Sequence, residues 1–336
     1  MNISILGAGT WGVALAALLS KNGCEVTVWS PLEREVDALT TSNEHPNLRG
    51  IALPENIKYT TDIASAASFG EVVIFATPSS FVRSTAVAAA PHIKNGAIIA
   101  SASKGIEQGT LMTMTDIIED AFKGVRPELE YKIAALSGPT HAEEVAAGLP
   151  TSIVAASEYE DVSLALANLF ANSCLRVYTN TDVTGVEIAG ALKNVIAISA
   201  GINRGMGFGD NSGAMLMTRG IAEITRLGLA MGCKRRTFMG LAGIGDLIVT
   251  CTSRHSRNNR CGEMIGRGMT YAEAQAEIGM VVEGYHALEA AVGLAKKYEV
   301  EMPITEGVYS IIMQGESPRD AMTRLMNRDI KSELDT

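Results

Sequence analysis

Lys193 interrupts an apolar helical stretch, Glu187-Ile188-Ala189-Gly190-Ala191-Leu192-Lys193-Asn194-Val195-Ile196-Ala197, and shares its face with Ala189, Gly190, Ile196 and Ala197. The polar residues Glu187 and Asn194 lie seven apart on a face of their own. A lysine so placed either snorkels to water or is desolvated for a purpose. Desolvation lowers an ammonium pKa toward the range in which it works as a general acid/base. Asp246 stands alone within Gly243-Ile244-Gly245-Asp246-Leu247, an expensive place for a carboxylate unless it meets a cation or a substrate hydroxyl. Beyond it, Ser253-Arg254-His255-Ser256-Arg257-Asn258-Asn259-Arg260 interleaves arginine with serine and asparagine. That mixture of planar forks and neutral donors suits a phosphate. Lys234-Arg235-Arg236 lacks such partners and reads as a solvated turn.

Two more polar segments follow strand-like runs. In Ala102-Ser103-Lys104-Gly105-Ile106-Glu107, Lys104 either reaches a substrate anion or hydroxyl or is an ordinary loop lysine. In Ser137-Gly138-Pro139-Thr140-His141-Ala142-Glu143-Glu144, the Gly-Pro pair forces a turn. Gly138, the Thr140 hydroxyl and nearby N–H groups would then make a small polar pocket, unless Thr140 only caps the next helix.

The cofactor such groups would work with is indicated at the N-terminus. Ile3-Ser4-Ile5-Leu6 is a short strand, Gly7-Ala8-Gly9-Thr10-Trp11-Gly12 a GxGxxG turn, and Val13–Leu19 the body of a helix. Gly7 permits the tight turn, Gly9 lets backbone approach a pyrophosphate, and Gly12 lets helix pack on strand. The helix N-terminus supplies N–H groups and a positive dipole end to the anion. The plainer alternative is a tight β–α turn without a ligand. At the end of the second strand, Ser30 stands where an acid would bind the ribose 2′-hydroxyl of NAD, and Arg34 is near enough to meet a 2′-phosphate. NADP(H) is therefore expected to be accepted, although Glu33 could turn inward and Arg34 could be a solvated helix-start residue.

These groups need a scaffold. Strand-like runs at Ile3–Leu6, Glu25–Trp29, Val72–Ala76, Ala97–Ala100, Lys132–Leu136, Ser152–Ala155 and Arg176–Tyr178 alternate with helical segments around 13–22, 33–40, 80–90, 111–122 and 162–171. That alternation predicts a Rossmann-type, doubly wound parallel sheet. From about Val183 the strand signal fades. Helical segments follow at Glu187–Ile202, Ala214–Met231, Ala272–Ile278, Ala287–Tyr298, Thr305–Met313 and Pro318–Met326. Two domains are expected, a dinucleotide-binding domain over 1–182 and an all-helical substrate-binding domain over 183–336, with a ligand site in the cleft between them.

Composition sets limits. A net charge of −9 argues against nucleic acid or an acidic membrane surface as the main partner. The five cysteines, Cys24, Cys174, Cys233, Cys251 and Cys261, form no CxxC pair, so neither a disulfide framework nor a zinc or other metal site is expected. The apolar start lacks a basic n-region and charge interrupts the longest apolar stretches, so no signal peptide or membrane span is expected and a cytoplasmic location fits.

Together the motifs GAGTWG, ASKGIE, SGPTHAEE, ALKNV, GLAGIGDL, SRNN and VVEG, in this order, resemble the bacterial NAD(P)-dependent glycerol-3-phosphate dehydrogenases. The resemblance covers nearly the whole chain. It implies interconversion of dihydroxyacetone phosphate and sn-glycerol 3-phosphate with NAD(H) or NADP(H), for phospholipid synthesis, by a homodimer. Carried over by motif, Lys193 is the catalytic acid/base. Lys104, Gly138, Thr140, Asp246, Ser256, Arg257 and Asn258 meet the substrate. Thr10, Trp11, Lys104, Ala142, Arg257, Val281 and Glu283 meet the cofactor. Two rival readings remain: an NADP-dependent hydroxy-acid dehydrogenase of similar build, and a module that senses NADP(H) without chemistry.

Overall fold

A computed structural model describes residues 1–330, 332 and 333. The chain divides into two compact units: Met1–Lys104 with Thr113–Val183, and Gly105–Met112 with the chain from Thr184 onward.

The first unit is built on eight strands: β1 (Asn2–Leu6), β2 (Glu25–Trp29), β3 (Lys58–Thr60), β4 (Val72–Phe75), β5 (Ala97–Ser101), β6 (Tyr131–Ser137), β7 (Thr151–Ala156) and β8 (Leu175–Asn180). Their order is β3-β2-β1-β4-β5-β6-β7-β8, so the chain leaves β1 in one direction and returns to its other side at β4. That reversal makes β1/β4 the topological switch point, where open α/β sheets bind ligands beyond the strands' carboxyl ends. β1 is central, with Ile3 paired to Val26 on one side and to Val72 on the other, and Ile3, Ile5 and Leu6 have no exposed surface. Continuous apolar runs of this kind belong to strands covered on both faces.

The sheet departs from the all-parallel expectation at one place. β7 runs antiparallel to β6, while every other pairing is parallel. The only helix between them, Ala142–Ala146, has five residues, about 7 Å of helix. It cannot carry the chain back along the seven residues of β6, about 23 Å, as a parallel crossover requires. The three-residue edge strand β3 leaves no signal in the sequence, because Lys58-Tyr59-Thr60 is too short to show a period. The helix expected from Leu111 begins instead at Met114, where Thr113 and Asp116 form a capping box.

The second unit is helical. Its central element, Val183–Gly205, is the one described helix long and apolar enough to cross a membrane, and its apolar window lies wholly buried within the structure. Charge interrupts the stretch, as expected, at Glu187 and Lys193. The element is a core helix that packs Ile188, Ala189, Leu192 and Ile196 into a cluster with Ile224, Leu227, Phe238 and Leu247. The segment Gly105–Met112 belongs here because Ile106 is buried in this same cluster, with Leu111 packed against it. Helices at Asp246–Thr252 and Arg257–Gly266 were not expected; the second carries too many polar residues to show an apolar stripe.

Candidate active site

In the first unit the glycine turn leaves β1 at the switch point. Gly7 has φ +129°, and a Cβ there would lie 2.7 Å from the Ala76 backbone after β4. A Cβ on Gly12 would lie 2.0 Å from the Gly7 carbonyl oxygen. These two glycines close the turn against its own scaffold. Gly9 differs: nothing described lies within 4 Å of where its Cβ would be. The helix Thr10–Lys21 starts at Gly9 with no side chain capping its N–H groups and no acid in its first turn. Open backbone at a helix N-terminus, next to a strand crossover, fits a dinucleotide pyrophosphate. Two hydroxyls near the carboxyl ends of β4 and β6, Thr77 Oγ1 and Ser137 Oγ, are buried without a hydrogen-bond partner among the described residues. Such orphaned donors also suit a polar ligand at this edge. Trp11 packs partly buried on the core, and Ala142 is buried in it. The Thr10 hydroxyl accepts a 3.1 Å bond from the Asn47 amide.

Lys104 is no loose loop residue. Its Nζ donates to the Gly138 carbonyl at 3.0 Å and to Thr140 Oγ1 at 3.1 Å, and Thr140 Oγ1 donates to the same carbonyl at 3.1 Å. Gly138, at φ +136° just past β6, turns that carbonyl toward the lysine. Thr140 does not cap the following helix, whose N-cap is His141.

In the second unit, Lys193 and Asp246 form a buried ion pair, the lysine 6% and the aspartate 1% exposed. Thr250 Oγ1 accepts from Lys193 Nζ at 2.8 Å and donates to the Asp246 carbonyl at 2.6 Å. A wide helical turn over Leu241–Gly245 delivers Asp246 to this place. Gly243 is required in it, since a Cβ would lie 2.1 Å from the Phe238 carbonyl oxygen. Lys193 is thus desolvated rather than snorkelling, and Asp246 meets a cation, as a lone buried carboxylate must.

The helix Arg257–Gly266 begins beside them. Ser256 is its N-cap and accepts from Asn259 N at 3.2 Å. Arg257 Nη1 donates to the Val281 carbonyl at 2.9 Å. Asn258 is buried, donating to Asn194 Oδ1 at 3.0 Å and accepting from Gly284 N at 2.9 Å. It therefore ties the helix of Lys193 to the helix Glu283–Lys297, whose first residue is Glu283. Of the three arginines in this segment only Arg257 is half-buried; Arg254 and Arg260 are exposed.

Comparison with known proteins bears on what such a chain does. The family description "NAD-dependent glycerol-3-phosphate dehydrogenase N-terminus" matches residues 2–163, and its C-terminus counterpart matches 182–323. A glycerol-3-phosphate dehydrogenase [NAD(P)+] of Lactobacillus delbrueckii subsp. bulgaricus is 51% identical, across 99% of this chain and 98% of the relative. One from Agathobacter rectalis is 46% identical, across 98% and 97%. The crystal structure of glycerol-3-phosphate dehydrogenase from Coxiella burnetii superposes with a TM-score of 0.91 at 35% identity, covering 97% of this chain and 98% of that one.

The chain belongs to the NAD-dependent glycerol-3-phosphate dehydrogenase family.

Like its family, it is an NAD(P)-dependent oxidoreductase. Several residues around the family motifs were not singled out from the sequence. Thr250 lies one helical turn after Asp246, a spacing that puts both on one face. Asn259 is fully buried, donating to the Cys251 carbonyl at 2.8 Å and accepting from Arg204 Nη1 at 2.8 Å. Buried His45 borders the glycine turn: burial lowers its pKa, opposed by the Glu35 carboxylate and a hydrogen bond to the Ala8 backbone. Glu33 and Arg34 are both exposed. The acid that turns inward at β2 is Glu35, because the first turn of helix Glu33–Ser42 folds it back onto Ser30.

Proposed function

We propose that this chain interconverts dihydroxyacetone phosphate and sn-glycerol 3-phosphate with NAD(P)H, and that Lys193 is its general acid/base. The observation that carries this reading is the buried Lys193 ammonium held by Asp246 and Thr250. The nicotinamide, when bound, supplies the hydride that reduces the C2 carbonyl. Reduction leaves a developing alkoxide, which an ammonium both stabilises and protonates. Asp246 and Thr250 fix the direction of Nζ, and the Asp246 carboxylate provides the counter-charge that lets it exist away from water. Substrate contacts are assigned to Lys104, Gly138, Thr140, Asp246, Ser256, Arg257 and Asn258. Arg257 offers a planar fork already steadied on the Val281 carbonyl. For Asn258 the assignment is partly indirect, since both ends of its amide already bond within the fold. Cofactor contacts are assigned to Gly7, Gly9, Thr10, Trp11, Gly12, Lys104, Ala142, Arg257, Val281 and Glu283.

The proposal extends to supply of glycerol 3-phosphate for phospholipids, a cytoplasmic location, a homodimer and no nucleic-acid partner. The net charge of −9 supports the last of these. A buried, hydrogen-bonded ammonium favours catalysis over a sensing module, which needs none. A hydroxy-acid dehydrogenase would instead turn over small keto acids and ignore the triose phosphate.

The test is dihydroxyacetone phosphate reduction followed at the nicotinamide absorbance, with NADH and NADPH in parallel. Lys193→Ala should lower kcat by about 100- to 10,000-fold, roughly 3–5 kcal/mol of barrier, while nucleotide binding persists. Near-normal turnover in that variant would sink the assignment.

A further inference from the structure

We infer that Glu35 sets the cofactor preference of this chain, accepting a hydrogen bond from the adenosine ribose 2′-hydroxyl of NADH and disfavouring the 2′-phosphate of NADPH. The inference rests on the reading that the glycine turn binds a nicotinamide dinucleotide.

Ser30 stands directly beyond β2, whose last residue, Trp29, is paired with Leu6. The end of β2 is tied to the glycine turn itself, since Gly7 N donates to the Trp29 carbonyl at 2.9 Å. Folds of this type read the ribose 2′ position at that strand end, with an acid for the hydroxyl or a basic group for the phosphate. Here the position holds a serine, 1% exposed, which cannot discriminate by charge. The serine instead carries a carboxylate: its Oγ donates to Glu35 Oε2 at 2.6 Å and accepts from Leu32 N at 3.2 Å. Pro31 and Leu32 form a tight return that folds the first turn of helix Glu33–Ser42 back on the strand. Glu35 is half-buried there, while Glu33 and Arg34 point to solvent.

The acid is therefore held on Ser30, next to the Trp29 carbonyl that ties β2 to the glycine turn. A ribose hydroxyl can donate to this fixed carboxylate without losing hydration uselessly. A 2′-phosphate brings about −1.5 to −2 charge and no donor, and meets repulsion. Arg34 offers attraction only after a long, solvated side chain is immobilised, whereas Glu35 is already held.

The test is direct binding of NADH and of NADPH to the whole chain, by nicotinamide fluorescence titration, in wild type, Glu35→Gln and Arg34→Gln. Thermal unfolding of each variant checks that it folds. The wild type should bind NADH about tenfold or more tightly than NADPH, the scale of one like-charge contact in a half-buried site. Glu35→Gln, which keeps a partner for Ser30, should erase most of that ratio, chiefly by tightening NADPH. An unchanged ratio in Glu35→Gln overturns the inference. So does a wild-type preference for NADPH that Arg34→Gln abolishes, since the arginine would then be the discriminator. Failure of both nucleotides to bind folded wild-type protein would overturn the dinucleotide reading as well, and so separates the two failures.

Discussion

An ammonium and a carboxylate withdrawn from water together, as Lys193 and Asp246 are, depend on each other for their place in the fold. Their attraction offsets a desolvation cost of several kcal/mol per ion only while both are present. Thr250 adds a neutral bond to Nζ and anchors itself on the Asp246 carbonyl. Asp246→Asn should therefore destabilise the chain by about 3–5 kcal/mol, by stranding a buried charge. Adding Lys193→Met to that variant should restore part of the loss, because no charge then remains to be stranded. Urea unfolding of the two single variants and the double variant reads both effects. Additive losses would show that the pair is not coupled.

Helices bring the site residues together, and they do so through close backbone approach. Gly284 lies where helix Glu283–Lys297 meets the helix of Lys193: a Cβ there would fall 2.7 Å from the Asn194 carbonyl oxygen and 2.7 Å from Ile198 Cδ1. The same residue donates its N–H to Asn258, which in turn bonds Asn194. Propensity alone favours Gly284→Ala by up to about 1 kcal/mol in a helix. The contact distances predict the reverse, a loss of about 1–3 kcal/mol from overpacking. A lower melting temperature accompanied by a raised KM for the phosphate substrate would show that the amide chain holds its geometry. A stabilised variant with unchanged KM would show that the helices separate freely.

At the scale of the whole molecule, stability carries a pH signature from a group outside the proposed chemistry. Glu223, 2% exposed, caps the helix Pro303–Gln314 by accepting from Ile304 N at 2.6 Å and Thr305 N at 3.3 Å. Burial pushes its carboxyl up to about 7 from an ordinary 4.5, with those N–H bonds pulling the other way. Between these values the unfolded chain has lost the proton that the folded chain keeps. Stability contributed by this group is therefore full below the lower value, falls as pH rises through the window, and is flat above it. The fall amounts to about 3 kcal/mol. Glu223→Gln removes the titration, so the stability difference between wild type and variant should change by that amount across the window. Unfolding free energies measured below and above it decide the matter; a constant difference would rule Glu223 out as the source.

Local spacing made the glycine turn, most strands and the exceptional settings of Lys193 and Asp246 legible, because a strand–glycine–helix junction and a charge among apolar residues are contiguous signals. The sequence by itself determined that this chain has a dinucleotide-type α/β half and a helical half, and which charges needed partners. Only the tertiary structure decided who those partners are. Lys193 and Asp246 lie 53 positions apart, and Arg204 reaches Asn259 across 55. At the β2 end, Glu35 rather than Glu33 or Arg34 turns inward, a choice made by one tight return around Pro31. The direction of β7 was decided by a helix too short to span the sheet. Periodicity records which face of an element is buried; it does not record what that face meets, because the pairing is set by packing between segments that share no local pattern.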